Sequence, residues 1–311
     1  MKKTWILAAA LTLLLAALTG CGARTQESMR VAALKGPTGL GLAYLDGGEG
    51  YALEIYDAPD AVTGKFISGE LDVACVPVNL ASVLYNRLKG GVVLLNVNTL
   101  GVLYILENGD SLRSVQDLAG KTIYASGEGS TPEYVLNFIL EQNGLRDEVT
   151  VEYVGEHAAL AAMAAAGEAE IVMLPEPNVS AAQAQNGALR VALDLSEEWI
   201  AVTGKPLVQG CTITTKSYYE ANREELRRFL EDYAVSVERV LTEEGAAERI
   251  EEMQILPSAA IAARAIPNCH IVSVTGEDAR AYMQDMLLAL YTANPASVGG
   301  ALPGDDFYAD F

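Results

Sequence analysis

Residues 69–77, GELDVACVP, and residues 167–175, GEAEIVMLP, are two copies of one pattern. Each has Gly-Glu, a small or apolar residue, an acid, a β-branched residue, three mostly apolar residues and a closing proline. The copies start 98 positions apart. That period is too long for a solenoid, whose units run about 20 to 50 residues. It therefore predicts two similar lobes, each with a strand buried between helices and stopped by proline.

The flanking sequence repeats in the same order. In the first half a strand from Arg30 to Leu34 meets the turn Lys35-Gly36-Pro37, and a helix follows with Thr38 as its N-cap. ALEIYDA is a second strand, a helix runs from about Asp60 to Ser68, and after Pro77 a helix is capped by Asn79. In the second half, strand Thr122 to Ala125 runs into the loop Ser126-Gly127-Glu128-Gly129. A helix start follows, either as a capping box on Ser130 with Glu133 or with Thr131 as cap and Pro132 first in the helix. VTVEYV, a helix from Ala158 to Ala166 and a helix from Asn178 to Gln185 complete that half. This βα alternation predicts α/β architecture with largely parallel sheets. Residues 92–106 read as two strands, the second leaving the first lobe, and LVQGCTITT (207–215) as the strand that returns. Two crossings make a two-strand hinge, with Gly101, Gly204 and Gly210 to absorb its backbone change. Helices between 217 and 295 then cover the first lobe.

The N-terminal 20 residues are expected to be a signal: two lysines, an apolar run from Trp5 to Leu18, then Leu18-Thr19-Gly20-Cys21. The apolar run is short for a membrane span. Cys21 is the expected site of diacylation, which anchors stably because it supplies two chains. Without Lys2 and Lys3 the chain has 19 basic against 41 acidic residues, about −22. That charge excludes nucleic acid as a partner. Three further cysteines, Cys75, Cys211 and Cys269, are an odd number and so cannot form a fully paired disulfide framework; Cys75 and Cys211 lie in apolar runs and read as buried hydrophobes. His157 and His270 are far apart and read as structural or exposed, and no metal or other cofactor is expected.

Taken in order, the lipobox, Lys-Gly-Pro-Thr-Gly, Gly-Glu-Leu-Asp-Val…Pro-x-Asn-Leu-Ala, Asp-Leu-Ala-Gly-Lys-Thr-Ile, the second-lobe Pro-Glu-Pro and the terminal Gly299–Tyr308 stretch resemble the solute-binding proteins of ABC importers. The resemblance is to the branch of aliphatic-sulfonate, nitrate and thiamine-precursor (NMT1/THI5-like) proteins. It implies a type II periplasmic-binding fold, two α/β lobes joined by a two-strand hinge. The expected organisation is a signal over 1–20, a lipidated tether over 21–29, a first lobe from 30–102 with 208–311, and a second lobe over 103–207. The implied role is non-enzymatic: a monomeric lipoprotein on the extracytoplasmic face that captures a small organic solute and delivers it to an ABC permease. A ligand-sensing lipoprotein is the alternative. The enzymes of related fold are disfavoured, since the eukaryotic thiamine-precursor synthases carry a CCCFC motif absent here and the menaquinone-pathway relatives are cytoplasmic. Gly-x-Ser-x-Gly, P-loop and His-Glu-x-x-His motifs are also absent.

In open α/β sheets ligands bind beyond the carboxyl ends of strands, where helix N-termini point. The candidate ligand residues are therefore Lys35, Pro37, Thr38 and Gly39, Asp57, Asn79, Ser126, Gly127, Gly129, Ser130 and Thr131, and Glu176 and Pro177. Tyr104, with Tyr124 and Tyr134, is a candidate for stacking on a planar ligand, and equally for packing within a lobe. Glu128 and Glu176 favour an amine or cationic heterocycle if both face the cleft, and set no ligand charge if they only cap helices. Sulfonate specificity is therefore not transferred. The repeats diverge just after the prolines, Val78-Asn79 against Glu176-Pro177-Asn178, and specificity is expected there.

Overall fold

The computed structural model describes residues 28–45 and 50–311. The expected signal and the expected lipidation site at Cys21 lie outside the described residues. From the N-terminus, β1 (Met29–Leu34), a short α1 (Pro37–Leu40), β2 (Tyr51–Tyr56), α2 (Pro59–Ser68), β3 (Val73–Pro77), α3 (Val78–Arg87) and β4 (Val92–Leu100) form one unit. Gly101 and Val102 then lead straight into β5 (Leu103–Glu107), which belongs to the other sheet. There follow β6 (Thr122–Ser126), α4 (Thr131–Gln142), β7 (Thr150–Val154), α5 (His157–Ala166), β8 (Ile171–Pro175), α6 (Asn178–Gln185), β9 (Arg190–Asp194) and α7 (Leu195–Thr203). The return strand β10 (Val208–Thr215) precedes α8 (Lys216–Ala221), α9 (Arg223–Thr242), α10 (Ala246–Glu252), α11 (Ala259–Ala265), β11 (Ile271–Val274) and α12 (Gly276–Ala293).

The two sheets have strand orders β11-β4-β10-β3-β1-β2 and β7-β6-β8-β5-β9. From the β2 and β7 edges inward they share one plan: two parallel pairings, then two antiparallel ones. The expected largely parallel sheets are thus mixed. The reason is the crossing: β10 and β5 enter their sheets from the hinge, opposite to strands delivered by βα units, and so run against β3 and β8. The fold is two α/β lobes joined by the two crossing segments, as the type II periplasmic-binding arrangement requires.

The duplicated nonapeptides are β3 and β8 together with the turns that enter them. Gly69 and Gly167 both adopt the left-handed conformation, φ 77° and 75°, at the C-termini of α2 and α5. In both, the amide after the glycine closes back on the helix, Glu70 N to Lys65 O at 2.9 Å and Glu168 N to Met163 O at 2.9 Å. These are Schellman caps, which turn the chain out of the helix and into the strand. Alternation along β3 then sends Val73 and Cys75 toward Phe229 and Tyr233 of α9, and Ala74 and Val76 toward Val62 and Phe66 of α2. Each fully buried aliphatic side chain there contributes about 1.5–3 kcal/mol. Cys75, Cys211 and Cys269 are all buried free thiols.

Candidate functional site

Strands of both lobes end on one shared space, β3 and β8 on prolines, and six helices start beside it: α1, α2 and α3 in the first lobe, α4, α5 and α6 in the second. Between them lies a cavity of about 460 Å³. The first lobe contributes Lys35 to Thr38, Pro59, Pro77, Asn79, Thr99 and Gln209; the second contributes Ser130 to Pro132, His157 and Pro175 to Asn178; the hinge contributes Val102 and Leu103. A second space of about 750 Å³ shares Lys35, Gly36, His157, Pro177 and Asn178 and is bounded by Asp57, Glu156 and the segment Gln254 to Pro257. The lobes touch across the cavity, with Thr131 Oγ1 and Asn79 Oδ1 3.5 Å apart.

Local packing fixes the first-lobe wall. Gly39 turns α1 back onto β1 so closely that a Cβ would lie 2.7 Å from Leu34 O. At Gly210 a Cβ would meet Asn98 Oδ1 at 2.5 Å and Thr38 Cγ2 at 2.7 Å. A side chain at either position would push α1 or its Thr38 out of place.

Eight of the sequence candidates line the cavity: Lys35, Pro37, Thr38, Asn79, Ser130, Thr131, Glu176 and Pro177. Gly39 is buried beneath it and Asp57 sits at the outer space. Gly127 and Gly129 belong to the loop behind Ser130, whose hydroxyl donates to Gly127 O at 2.6 Å. Tyr104 packs within the fold: it is buried, and its hydroxyl donates to Asn268 O at 2.9 Å.

The helix starts differ in detail from the sequence reading. Gly36, with φ 103°, precedes α1 in place of Thr38. Pro77 is the N-cap of α3, which places Asn79 in the first turn. Ser130 is the N-cap of α4 without a side-chain cap, because its hydroxyl is spent on Gly127; Glu133 takes Gly129 N at 2.6 Å instead of closing a capping box.

Three titratable side chains line this wall among the described residues: Lys35, His157 and Glu176. Lys35 Nζ is 2.7 Å from Asp57 Oδ1 in an exposed pair. His157 Nδ1 lies 2.6 Å from Ser126 Oγ, and burial lowers its pKa, which keeps the imidazole neutral at pH 7. Glu176 is 2% exposed. It accepts from Ser180 N at 3.1 Å and Ser180 Oγ at 3.0 Å in the first turn of α6, and from Asn268 Nδ2 of the other lobe at 3.5 Å. Burial raises its pKa, and the hydrogen bonds from Ser180 and Asn268 only partly offset that. The Glu176–Pro177 peptide is cis. Glu128, by contrast, is exposed and away from the cavity. One of the two glutamates thus faces the cleft, and it caps a helix as well.

Residues 87–245 match the family model described as NMT1/THI5 like. The chain belongs to the NMT1/THI5-like family. No curated protein matches it. Solved structures share the fold of this NMT1/THI5-like chain. An ABC transporter protein from Parabacteroides distasonis is 22% identical with a TM-score of 0.78, over 91% of this chain and 99% of that one. The periplasmic aliphatic sulphonate binding protein SsuA of Escherichia coli is 19% identical with a TM-score of 0.68, over 87% and 88%. The alkanesulfonate-binding protein of Xanthomonas axonopodis pv. citri bound to MOPS is 18% identical with a TM-score of 0.62, over 91% and 98%.

Several wall residues of this family member escaped the sequence reading. Thr99 and Gln209 sit where the crossing strands skirt the cavity, and only the pairing of β4 with β10 brings them together. His157 starts α5 and turns inward to Ser126, so its reading as exposed or purely structural is corrected to wall residue. Its place directly after a strand and before a helix was the available signal.

Proposed function

We propose that this chain is an extracytoplasmic solute-binding protein that hands a small organic molecule to an ABC permease. The observation that carries the reading is the cavity of about 460 Å³ lined by strand ends and helix starts of both lobes. A ligand there would contact both lobes at once, so its binding energy would favour the closed arrangement over an open one. Thr38, Asn79, Ser130, Thr131, Glu176 and Pro177 are the side chains on which solute capture rests. Several sulfonate-binding proteins have the same fold, and this supports capture without fixing the ligand. Among the described residues no helix is long and apolar enough to cross a membrane. A lipid on Cys21 would hold the protein beside its permease, as a monomer on the outer face of the membrane.

The reading is tested by thermal denaturation of the chain without its signal across a broad metabolite library, with native mass spectrometry of protein purified without refolding. A ligand at 100 times its Kd adds about 2.7 kcal/mol, which for a chain of this size is a rise in Tm of roughly 4–5 °C. No stabilisation and no copurifying molecule would overturn solute capture. Cell fractionation tests the anchor: Cys21→Ser is expected to move the protein out of the membrane fraction, and an unchanged distribution rejects lipidation.

A further inference from the structure

The second lobe buries two glutamates in different surroundings. Glu107, at the end of β5, has no exposed surface. It accepts from Ser111 N at 2.7 Å, from Leu112 N at 3.2 Å and from the Ser111 hydroxyl, and it is paired with the guanidinium of Arg190. Glu176 is almost as deeply buried, but its donors, Ser180 and Asn268, are neutral. The titratable groups that feel its charge are Tyr104 and Cys269, both neutral acids whose pKa values are raised by burial first and by Glu176 as a lesser cause. Among the described residues no lysine, arginine or histidine pairs with it. A carboxylate buried without a counter-charge is costly, and it sits on the wall of the cavity.

We propose that the solute taken into this cleft is a small organic ammonium with an apolar body, its positive charge answering Glu176. The inference rests on the solute-capture reading above and adds the ligand's charge to it. The rest of the wall agrees. An anion would find a single charged cation on this wall among the described residues, Lys35, which lies at the exposed rim beside Asp57, while His157 is neutral. The first-turn amide of α6 at Ser180 is already given to Glu176, so that helix start has less to offer an anion. Leu34, Leu80, Val102 and Leu103, with the wall prolines, are matched to a hydrocarbon or aromatic body. The formal charge of −20 over the whole sequence raises the local concentration of cations and repels anions. Glu176 also reaches Asn268 of the first lobe, so an ammonium on this carboxylate would sit where the lobes meet.

The test uses probes that share an apolar body and differ in the charge of the head group: benzylammonium and butylammonium, the corresponding alcohols, and the corresponding sulfonates. Binding is measured by titration calorimetry and thermal shift on the wild-type chain and on Glu176→Gln. The ammonium probes are expected to bind and the sulfonates not. Glu176→Gln, which keeps the shape and removes the charge, is expected to weaken the ammonium probes roughly 30-fold or more. Wild-type affinity for them should fall as pH is lowered through the raised pKa of Glu176, while Glu176→Gln should keep only the weaker dependence that comes from protonating His157 on the same wall. Selective binding of a sulfonate or alcohol, or ammonium binding that Glu176→Gln leaves unchanged, overturns the charge assignment and leaves solute capture standing. Failure of every probe overturns the charge assignment, and solute capture falls with it only if the metabolite library and the purified protein also yield no ligand.

Discussion

Glu107 and Arg190 join β5 to β9 at the outer end of the second sheet, where Arg190 also donates to Gly109 O and Leu112 O. Removing the cation alone would strand a fully buried carboxylate. Arg190→Met is therefore expected to lower unfolding free energy by about 3–5 kcal/mol in urea denaturation, and adding Glu107→Gln should recover part of it. The pH dependence follows from the same contacts. Burial pushes the Glu107 pKa up, but the hydrogen bonds from Ser111, Leu112 and Arg190 more than reverse it and hold it at about 2. A carboxyl whose folded pKa is depressed contributes stability above its unfolded pKa, about 4.3, and loses it as pH falls toward the folded value. Wild type should therefore lose stability between about pH 4.3 and 2 faster than Glu107→Gln. Equal slopes would show that this carboxylate is not the one being titrated. None of this was legible locally. Leu103 to Glu107 reads as an apolar strand with a polar end, and the arginine that makes burial tolerable lies 83 positions away. Glu128 and Glu176 each follow a strand end in sequence, and only the tertiary contacts of Glu176, with Ser180 in its own lobe and Asn268 in the other, set it apart as the buried one.

At the scale of elements, the closing proline of each nonapeptide was read as punctuation, whereas the opening Gly-Glu shows its role only in the structure, through a local cause. A left-handed residue must end α2 and α5 before the chain can enter β3 and β8, and glycine does so without a Cβ penalty. A Cβ at Gly69 would meet nothing within 4 Å, and at Gly167 only Asn108 Nδ2 at 3.5 Å. Substitution there tests backbone conformation with little steric interference. Gly69→Ala and Gly167→Ala are each expected to cost about 1 kcal/mol. Because the sites lie in separate lobes, the double variant should cost the sum. A neutral result at either site would mean that the helix end re-forms without the left-handed turn. Less legible were β9, α7 and β11. The segment Arg190–Thr203 was left unassigned between the second nonapeptide and the returning strand, and β11 is only four residues long. Each is an edge strand, or the helix after one, defined more by the neighbour it joins than by its own pattern.

At the scale of the whole molecule, the lobes are held together by contacts that no single lobe contains. Beside the cavity these are Thr131 with Asn79, and Glu176 and Tyr104 with Asn268. On the helical side Asn294 Nδ2 donates to Tyr134 Oη at 3.1 Å, and Lys205 Nζ lies 3.4 Å from Asp285. The exposed ion pair contributes little, whereas the hydrogen bond is worth about 1 kcal/mol. Tyr134 was a sequence candidate for ligand stacking; its hydroxyl instead spans from α4 of the second lobe to the end of α12 in the first. Tyr134→Phe removes that hydroxyl and leaves the Asn294 cap on Ala296 N in place. The same hydroxyl makes a weaker 3.5 Å contact with Gly129 O, and neither Tyr134 nor Lys205 lines the cavity. Combined with Lys205→Met, the substitution should shift the free protein toward open forms by roughly tenfold. Small-angle scattering should then give a radius of gyration larger by about 1 Å than wild type, against the ~19 Å expected for a compact chain of this length. A saturating ligand should bring the two proteins to the same value, since its contacts with both lobes replace the lost latch. If the free proteins already scatter identically, closure does not depend on these contacts and must be carried by the hinge strands themselves.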